Sequence, residues 1–305
     1  MKLAITMLRW KLAWRDFRQR VAAKCGSCGC IQSRGPWQRV SRRTQGVRMR
    51  GVWYCGAGCL ERALSQILTR SAVSRVDGFA PHRIPLGLIL LSRQQLTAEQ
   101  LRAALELQRE GGKGKIGECL RQLGFVSELQ ITAALARQWA CPLLRTGAGP
   151  MQASQRTRIP LLLLESFQMI PVDFVAATGA LLVAFSEGID HTVLYAIEQM
   201  LGYRTEACFI CPSTLREGLR ALAQRRKDRD VVFERIETAE ESASIAASYA
   251  AKVGAEEVRL AQCGRHIWIR LERRKREAVS LILVSPGLLH SALRAPRERV
   301  SSLPA

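Results

Sequence analysis

The first pattern along the chain is a stripe of apolar residues that recur every three or four positions near its start. This spacing predicts one amphipathic helix over residues 1–24. Lysines and arginines occupy many of the intervening positions, so two roles fit the helix: contact with the next domain, which we favour, and attachment to an anionic membrane surface. The apolar positions of the stripe are Leu3, Met7, Trp10, Trp14, Phe17 and Val21.

Helical spacing returns over residues 83–144, and strand and helix patterns alternate over residues 159–224. In the second region, Thr178-Gly179 is typical of a hairpin turn between two apolar runs. The elements predicted there are a helix around Leu161–Leu164, strands Ile170–Ala176 and Ala180–Phe185, a helix over residues 190–201, strand Thr205–Cys211, and a helix after Pro212-Ser213.

The last patterned region, residues 238–285, predicts an alanine-rich helix and three strands. A polar, charged run over residues 223–230 separates it from the region before, and residues 286–305 form a tail without a clear pattern. The mixture of patterns predicts an α+β, multi-domain protein. The three strands are Glu257–Gln262, His266–Glu272 and Ala278–Val284.

Net charge is the most unusual property of the composition. The 305 residues carry a formal charge of +20, which favours anionic partners such as nucleic acid, nucleotides, acidic proteins or a membrane surface. Solvated arginine-rich faces are the alternative explanation. No apolar run reaches the ~20 residues that span a bilayer, and the start of the chain lacks the apolar core of a signal peptide. We therefore expect a cytoplasmic protein whose ten cysteines stay reduced or bind metal.

Five of the ten cysteines lie between residues 25 and 70. Cys25-Gly-Ser-Cys28 is followed, 27 residues later, by Cys55-Gly-Ala-Gly-Cys59, just before a predicted helix. Zinc takes four ligands at tetrahedral corners, so these two pairs predict a structural zinc site of Cys25, Cys28, Cys55 and Cys59. Cys30 is a spare that can replace Cys28, and a set of unconnected buried or redox-active cysteines is the alternative. The arrangement resembles a treble-clef zinc finger, in which the last ligands stand at the start of a helix.

A repeat of 24 residues is the most informative feature of the sequence. The first copy, Pro85–Gln108, aligns without a gap to the second, Lys115–Gln138, at an offset of 30. Each copy predicts a short helix, a turn, an N-cap at Thr97 or Ser127, and a second helix. Since one pair of helices cannot bury its own apolar face, we expect the copies to pack on each other. The identical pairs are Gly87/Gly117, Leu90/Leu120, Gln100/Gln130, Ala103/Ala133, Ala104/Ala134, Leu105/Leu135 and Gln108/Gln138.

The repeat resembles the N-terminal domain of the GspE/PilB class of secretion and pilus ATPases, known as the GspE-N or MshEN domain. In that family each copy opens with Arg-Leu-Gly, passes through a Gly-aliphatic-aliphatic turn and closes with Gln, and tandem copies bind cyclic di-GMP. Here Lys115 stands for the arginine of the second copy. In the first copy Pro85 takes the arginine position and Gln94 the turn glycine, and Arg83 is the nearest substitute. The resemblance implies a ligand site of Arg83, Leu86, Gly87, Leu101, Leu105, Gln108, Lys115, Ile116, Gly117, Gly124, Ile131, Leu135 and Gln138.

The resemblance covers the chain from Arg83 to Leu222 and does not include a motor domain. A secretion ATPase needs a Gly-x4-Gly-Lys-Ser/Thr loop to hold the nucleotide phosphates, and the sequence has none. The four histidines are scattered without metal or triad spacing. We therefore expect no enzymatic activity.

The favoured hypothesis is a non-catalytic regulator or adaptor related to type II secretion or type IV pilus machinery, cytoplasmic or peripheral at the inner membrane. Its repeat would bind cyclic di-GMP or a helical segment of a partner, and its partners would be secretion or pilus proteins. One alternative is a zinc-finger protein that contacts nucleic acid through residues 39–50; another is a stand-alone regulatory subunit of a separate ATPase. The predicted domains are a basic helix (1–24), a zinc-finger-like element (25–70), the tandem repeats (83–144), the second half of the GspE-N-like domain (159–224), a small α/β domain (238–285) and the tail (286–305).

Overall fold

The computed structural model describes residues 23–32, 46–73, 83–111, 114–144, 157–225, 230–273 and 278–284. They belong to two compact units: Asp77–Asp230 forms one, and Met1–Val76 together with Val231–Ala305 forms the other. The predicted helix over residues 1–24 lies almost wholly outside the described residues, as do most of the basic loop 39–50 and the whole tail 286–305.

The first part of the unit Asp77–Asp230 contains the tandem repeats as two helix pairs, as predicted. The first copy forms α2 (Leu86–Ser92) and α3 (Ala98–Gly111); the second forms α4 (Ile116–Gln122) and α5 (Glu128–Gln138). The predicted N-caps are present, since the Thr97 and Ser127 hydroxyls accept from the backbone N–H groups of Gln100 and Gln130 at 3.2 and 3.3 Å. These bonds satisfy N–H groups that a helix start otherwise leaves without a partner.

The two copies pack on each other reciprocally. Helix α2 of the first copy contacts α5 of the second, and α3 of the first contacts α4 of the second. Equivalent residues meet in the shared core: Leu90 and Leu120 are fully buried, and Ala104 and Ala134 are at most 1% exposed. Each copy therefore covers the apolar face that the other cannot bury alone.

The turn between the helices has the same backbone shape in both copies although the residues differ. Gly124 has a φ of 72°, and Gln94, its equivalent in the first copy, has a φ of 55°. Glycine adopts this left-handed conformation freely, whereas a side chain there costs about 1–2 kcal/mol. The first copy therefore keeps the fold of the motif at the expense of strain at Gln94.

The second part of this unit, residues 157–225, is an α/β layer whose elements agree with the prediction. Helix α6 (Leu161–Ser166) leads into strands β5 (Met169–Val175) and β6 (Ala180–Phe185). Helix α7 (His191–Leu201), strand β7 (Arg204–Phe209) and helix α8 (Pro212–Arg225) follow. The sheet order is β5-β6-β7, with β5 antiparallel and β7 parallel to β6.

The second copy is joined to this layer by hydrogen bonds. After α5 the chain pairs with β7, where Leu144 N donates to Phe209 O and Phe209 N donates to Pro142 O, both at 2.8 Å. The Glu128 carboxylate, at the start of α5, accepts from Ser213 N at 2.6 Å and so caps the start of α8. The second copy is thereby fixed to both β7 and α8.

The other unit combines the cysteine-rich segment with the last patterned region. Its N-terminal part contains β1 (Ala23–Lys24), β2 (Ile31–Gln32), β3 (Val47–Met49), β4 (Val52–Tyr54) and α1 (Ala57–Val73). Its C-terminal part contains β8 (Val231–Phe233), α9 (Ala239–Val253), β9 (Glu257–Cys263), β10 (His266–Glu272) and β11 (Ala278–Val284), so the predicted helix and three strands are present.

These two parts share one six-stranded sheet with the order β4-β3-β9-β10-β11-β8. Strand β3 runs parallel to β9, with Arg48 opposite Glu257 and Met49 opposite Val258. Helix α1 packs on α9, where a run of buried alanines allows close approach. Residues 25–70 and 238–285, which the sequence patterns place in separate domains, are therefore one structural unit, because a strand of three residues carries no signal for the edge to which it adds.

Among the helices in the described part of the chain, none combines the length and the apolar character needed to cross a bilayer.

The two turns give a matched pair of substitutions. We expect Gly124→Ala to destabilise the unit Asp77–Asp230 by about 1 kcal/mol, because it places a side chain at a left-handed position. Gln94→Gly should be neutral or stabilising by up to about 1 kcal/mol, because it removes the equivalent strain. Native-state hydrogen exchange of the α4 amides measures both changes. Equal destabilisation by the two substitutions would contradict this account of the turns.

Candidate ligand and metal sites

The residues implied as ligand contacts divide by burial into two groups. Leu86, Gly87 and Gly117 are buried, so they lie in the interior of the repeat rather than on its surface. Among the implied contacts, the aliphatic side chains of the second helices keep part of their surface open, and Leu105 is the most exposed of these at 39%. The partly or fully exposed members of the set are Arg83, Leu101, Leu105, Gln108, Lys115, Ile116, Gly124, Ile131, Leu135 and Gln138.

The paired glycines let the two helices of each copy approach closely. A Cβ at Gly87 would lie 2.7 Å from Leu101 Cδ1, and a Cβ at Gly117 would lie 3.2 Å from Ile131 Cγ2. Leu101 and Ile131 are themselves equivalent at the offset of 30. Gly87 and Gly117 therefore leave room for an aliphatic side chain, Leu101 or Ile131, at the equivalent place in each copy.

The closing glutamines of the two copies make equivalent hydrogen bonds. Gln108 Nε2 donates to Gly114 O, and Gln138 Nε2 donates to Ile84 O, both at 2.7 Å. Gly114 and Ile84 each precede the opening residue of a copy and are themselves related by the offset of 30. Each amide thus lies beside the start of a copy, where Lys115 or Pro85 stands.

Lys115, the residue at the arginine position, forms an ion pair with Glu187 from the loop between β6 and α7. Both side chains are substantially exposed, so water screens the pair and its free energy is small. Because Glu187 lies outside the repeat, its proximity to Lys115 follows from how the second copy docks on the α/β layer. No pattern in the repeat signals this contact.

Arg83 stacks on Trp139, with its guanidinium carbon 3.1 Å from the centre of the indole ring. The same ring also lies 6.1 Å from the ring of His191 and 6.4 Å from that of Phe209. The cation of Arg83 is therefore directed to an aromatic surface. The sequence suggested Arg83 as a substitute for the missing arginine and gave no indication that Trp139 and His191 lie beside it.

The second candidate site is a group of cysteine sulfurs at the N-terminal part of the other unit. The sulfurs of Cys25, Cys28, Cys30 and Cys55 all lie within 4.8 Å of one another. Four sulfurs bound to one zinc ion at about 2.3 Å stand about 3.8 Å apart, so this group fits a tetrahedral metal site with a modest contraction. A thiolate-only ligand set suits zinc and other soft metals rather than magnesium or calcium.

Short backbone contacts hold this group together. Cys25 N donates to Cys30 O at 2.8 Å and Gly29 N donates to Cys25 O at 3.0 Å, which closes a tight turn between β1 and β2. Gly26 N donates to Trp53 O at 2.9 Å and ties that turn to β4. Cys55 follows β4 directly, so the turn and the strand end bring the four sulfurs to one place.

Cys59, one of the four ligands predicted from spacing, lies beside this group rather than in it. Its sulfur is 3.6 Å from the sulfur of Cys55, and the guanidinium of Arg62 donates to it at 3.4 Å. Cys30, the spare cysteine in the sequence interpretation, takes a place in the group together with Cys28 rather than instead of it. The difference arises because the turn after Cys28 carries Cys30 back towards Cys25, whereas Cys59 is in the first turn of α1.

The environment of Cys25 favours its thiolate. Burial raises the pKa of this thiol, but the backbone N–H groups of Cys28, Cys55 and Ser27 donate to its sulfur and bring the pKa down to about 5. By contrast, hydrogen bonds with the thiols of Cys30, Cys59 and Cys28 raise the pKa of Cys55. Hydrogen bonds from the backbone N–H and the thiol of Cys30 also lower the pKa of Cys28. Without a metal the environment thus favours the thiolates of Cys25 and Cys28, and a bound cation would stabilise the remaining thiolates.

Comparisons with known proteins support the resemblance to the N-terminal domains of secretion and pilus ATPases. The chain is 29% identical over 121 residues to the type IV pilus assembly ATPase PilB of Thermus thermophilus, covering 40% of this chain and 14% of that protein. It is also 28% identical over 146 residues to bacteriophage adsorption protein B of Escherichia coli, covering 48% of this chain and 19% of that protein. The chain thus spans less than a fifth of the length of these relatives, and no protein-family model matches it.

Solved structures similar to the chain include MshE and the N-terminal domain of XpsE. MshE with cdg (cyclic di-GMP) is 24% identical with a TM-score of 0.38, covering 46% of this chain and 99% of that one. The N-terminal domain of XpsE is 23% identical with a TM-score of 0.33, covering 44% of this chain and 91% of that one.

The cysteine geometry predicts which thiols retain metal. We expect Cys30→Ser to lose the bound metal, because it removes one of the four clustered sulfurs, whereas Cys59→Ser should keep about one ion per chain. Elemental analysis of the purified variants by mass spectrometry measures this directly. Retention in Cys30→Ser with loss in Cys59→Ser would instead favour the ligand set predicted from spacing alone.

Proposed function

We propose that this protein is a non-catalytic regulator or adaptor for type II secretion or type IV pilus machinery, and that its tandem repeat binds cyclic di-GMP. The observation that supports this most is the reciprocal packing of the copies, which sets equivalent aliphatic and amide side chains at equivalent places. Cyclic di-GMP is itself a two-fold symmetric molecule with two guanine bases and two phosphates. A pseudo-symmetric protein surface can present paired contacts to such a ligand.

Each class of side chain has a distinct role in this proposal. Leu105 is exposed, and Leu101, Ile131 and Leu135 are partly exposed, so together they offer apolar surface for the flat faces of the bases. The amides of Gln108 and Gln138 already donate hydrogen bonds at the starts of the copies, so a ligand carbonyl or phosphate oxygen would compete with backbone oxygens there. Lys115 supplies a point charge for a phosphate, and the ligand must replace Glu187 as its partner.

The two copies should contribute unequally to binding. The second copy has a cation at its opening, a glycine turn and an extensive attachment to the α/β layer. The first has Pro85 at the opening position, and its nearest cation, Arg83, is stacked on Trp139. We therefore assign the stronger phosphate contact to the second copy, with the first supplying mainly apolar surface and the Gln108 amide.

The proposal includes a structural Zn²⁺ ion in the other unit, held by Cys25, Cys28, Cys30 and Cys55. Four thiolates form a closed site with no open position for a substrate, so the ion would stabilise the fold rather than take part in a reaction. It would join the turn between β1 and β2 to the end of β4, at the edge of the six-stranded sheet. We place the protein in the cytoplasm, peripheral at the inner membrane, with secretion or pilus components as its partners.

Titration calorimetry with cyclic di-GMP tests the ligand. We expect the zinc-loaded protein to bind with a dissociation constant in the micromolar range or below, and the double variant Lys115→Ala, Gln138→Ala to lose at least ten-fold in affinity. The physical reason is the removal of one charge-assisted contact and one amide contact, worth about 2–4 kcal/mol together.

The matched control is Arg121→Ala, Gln122→Ala, which removes one cation and one amide from exposed positions of the same copy outside the implied site. It should bind like the unmodified protein. Absence of binding by the unmodified protein at high ligand concentration would overturn the cyclic di-GMP proposal and leave the repeat as a protein-binding scaffold. Equal loss in both double variants would show non-specific attraction of an anion to a basic chain.

A further inference from the structure

Cys59, the fifth cysteine of the N-terminal segment, lies close enough to Cys55 for redox chemistry between the two thiols. Cys55 is shared between two contacts: its sulfur is 3.6 Å from that of Cys28, inside the four-sulfur group, and 3.6 Å from that of Cys59, outside it. A tetrahedral structural zinc site is complete with four ligands, so a fifth sulfur is not needed to bind the ion. The buried Cys59 therefore has a position that the metal site does not explain.

We propose that Cys55 and Cys59 are a redox pair: a peroxide oxidises them to a disulfide, and this reaction expels the metal ion from the four-cysteine site. The inference depends on the zinc site proposed above. Oxidation would remove Cys55 from the ligand set and leave Cys25, Cys28 and Cys30, one ligand short of the closed tetrahedral site.

The local structure permits the new bond. A disulfide requires the two sulfurs to move from 3.6 Å to about 2.05 Å apart. Cys55 lies in the turn before α1, which begins at Ala57, so its side chain can rotate without disturbing helical hydrogen bonds. The hydrogen bond from Arg62 keeps the sulfur of Cys59 next to Cys55. Cys28 and Cys30 are exposed and Cys55 is partly exposed, which gives a small oxidant access to the cluster.

The reaction balances with hydrogen peroxide as the oxidant. The Cys55 thiolate attacks one peroxide oxygen, the O–O bond breaks, and a proton converts the leaving hydroxide to water, which leaves Cys55 as a sulfenic acid. The Cys59 sulfur then attacks the Cys55 sulfur, the S–O bond breaks, and the thiol proton leaves with the hydroxide as a second water. Two thiols lose two electrons in total, and one peroxide gains them.

Loss of the metal would act on the edge of the sheet. The turn containing Cys25 is tied to β4 through Gly26 and Trp53, and β4 pairs with β3, the strand that adds to β9. Without the ion, the turn would be held against the hairpin by these hydrogen bonds and by the burial of Cys25 in the core that includes Met49 and Tyr54. The cluster would thereby convert an oxidant signal into loosening of one edge of this unit.

Zinc release under peroxide tests the proposal. The full-length, zinc-loaded protein is treated with a small excess of hydrogen peroxide, released zinc is followed with a chromogenic chelator, and disulfides are mapped by mass spectrometry. We expect a Cys55–Cys59 disulfide to form in step with zinc release. Cys59→Ser, which should still hold zinc, is expected to release it at least five-fold more slowly, and Cys211→Ser, which removes a thiol from the other unit, should behave like the unmodified protein.

Equal rates in Cys59→Ser and the unmodified protein, or mapped disulfides that exclude the Cys55–Cys59 pair, would overturn the redox pair while leaving the zinc site intact. A purified protein without stoichiometric metal would overturn the zinc site and the redox pair together. If Cys59→Ser fails to retain zinc, the disulfide map of the unmodified protein alone decides: the Cys55–Cys59 pair supports the proposal, and any other pair contradicts it.

Discussion

The reciprocal packing of two short helix pairs is the interaction on which the unit Asp77–Asp230 depends. Neither copy has enough apolar surface to fold alone, so α2 covers α5 while α3 covers α4, around Leu90 and Leu120. Because the pairing is reciprocal, residues 30 apart in sequence occupy equivalent places, and the helices, N-caps, turn and closing glutamine of one copy each have a counterpart in the other. This constraint explains why Gln94 adopts a strained backbone: the packing fixes the turn, and the side chain has to accept it.

The symmetry of the repeat is broken by what surrounds it. The second copy is attached to the α/β layer through Phe209, through the Glu128 cap of α8 and through the Lys115–Glu187 pair. The first copy meets the second at the shared core and through the Gln138–Ile84 hydrogen bond and the Arg83–Trp139 stack. The second copy is thus fixed to the α/β layer, whereas the first copy is held mainly by the second. A ligand that contacts both copies would therefore link a fixed element to a less firmly held one. Such an arrangement suits a regulatory domain, in which binding must change how two elements are held together.

Much of this fold could be predicted from local sequence patterns. The repeat, its N-caps, the hairpin at Thr178-Gly179 and the last three strands follow from apolar periodicity and turn chemistry, which act over a few residues. The addition of β3 to β9 could not be predicted, because three residues carry no information about a partner some 200 positions away. The neighbours of the candidate sites could not be predicted either. Cys30 joins the metal group because of the shape of one turn. Glu187 contacts Lys115 only because the second copy docks on the α/β layer.

Hydrogen–deuterium exchange with and without cyclic di-GMP tests most directly whether this ligand binds across the two copies of the repeat. The account predicts slower exchange on ligand addition at the starts of both copies, around residues 84–90 and 114–120, and in the second helices that carry Gln108 and Gln138. The α1 and α9 amides of the other unit should be unchanged. If exchange slows only in the α/β layer, or does not change anywhere in residues 83–144, cyclic di-GMP does not bind across the two copies.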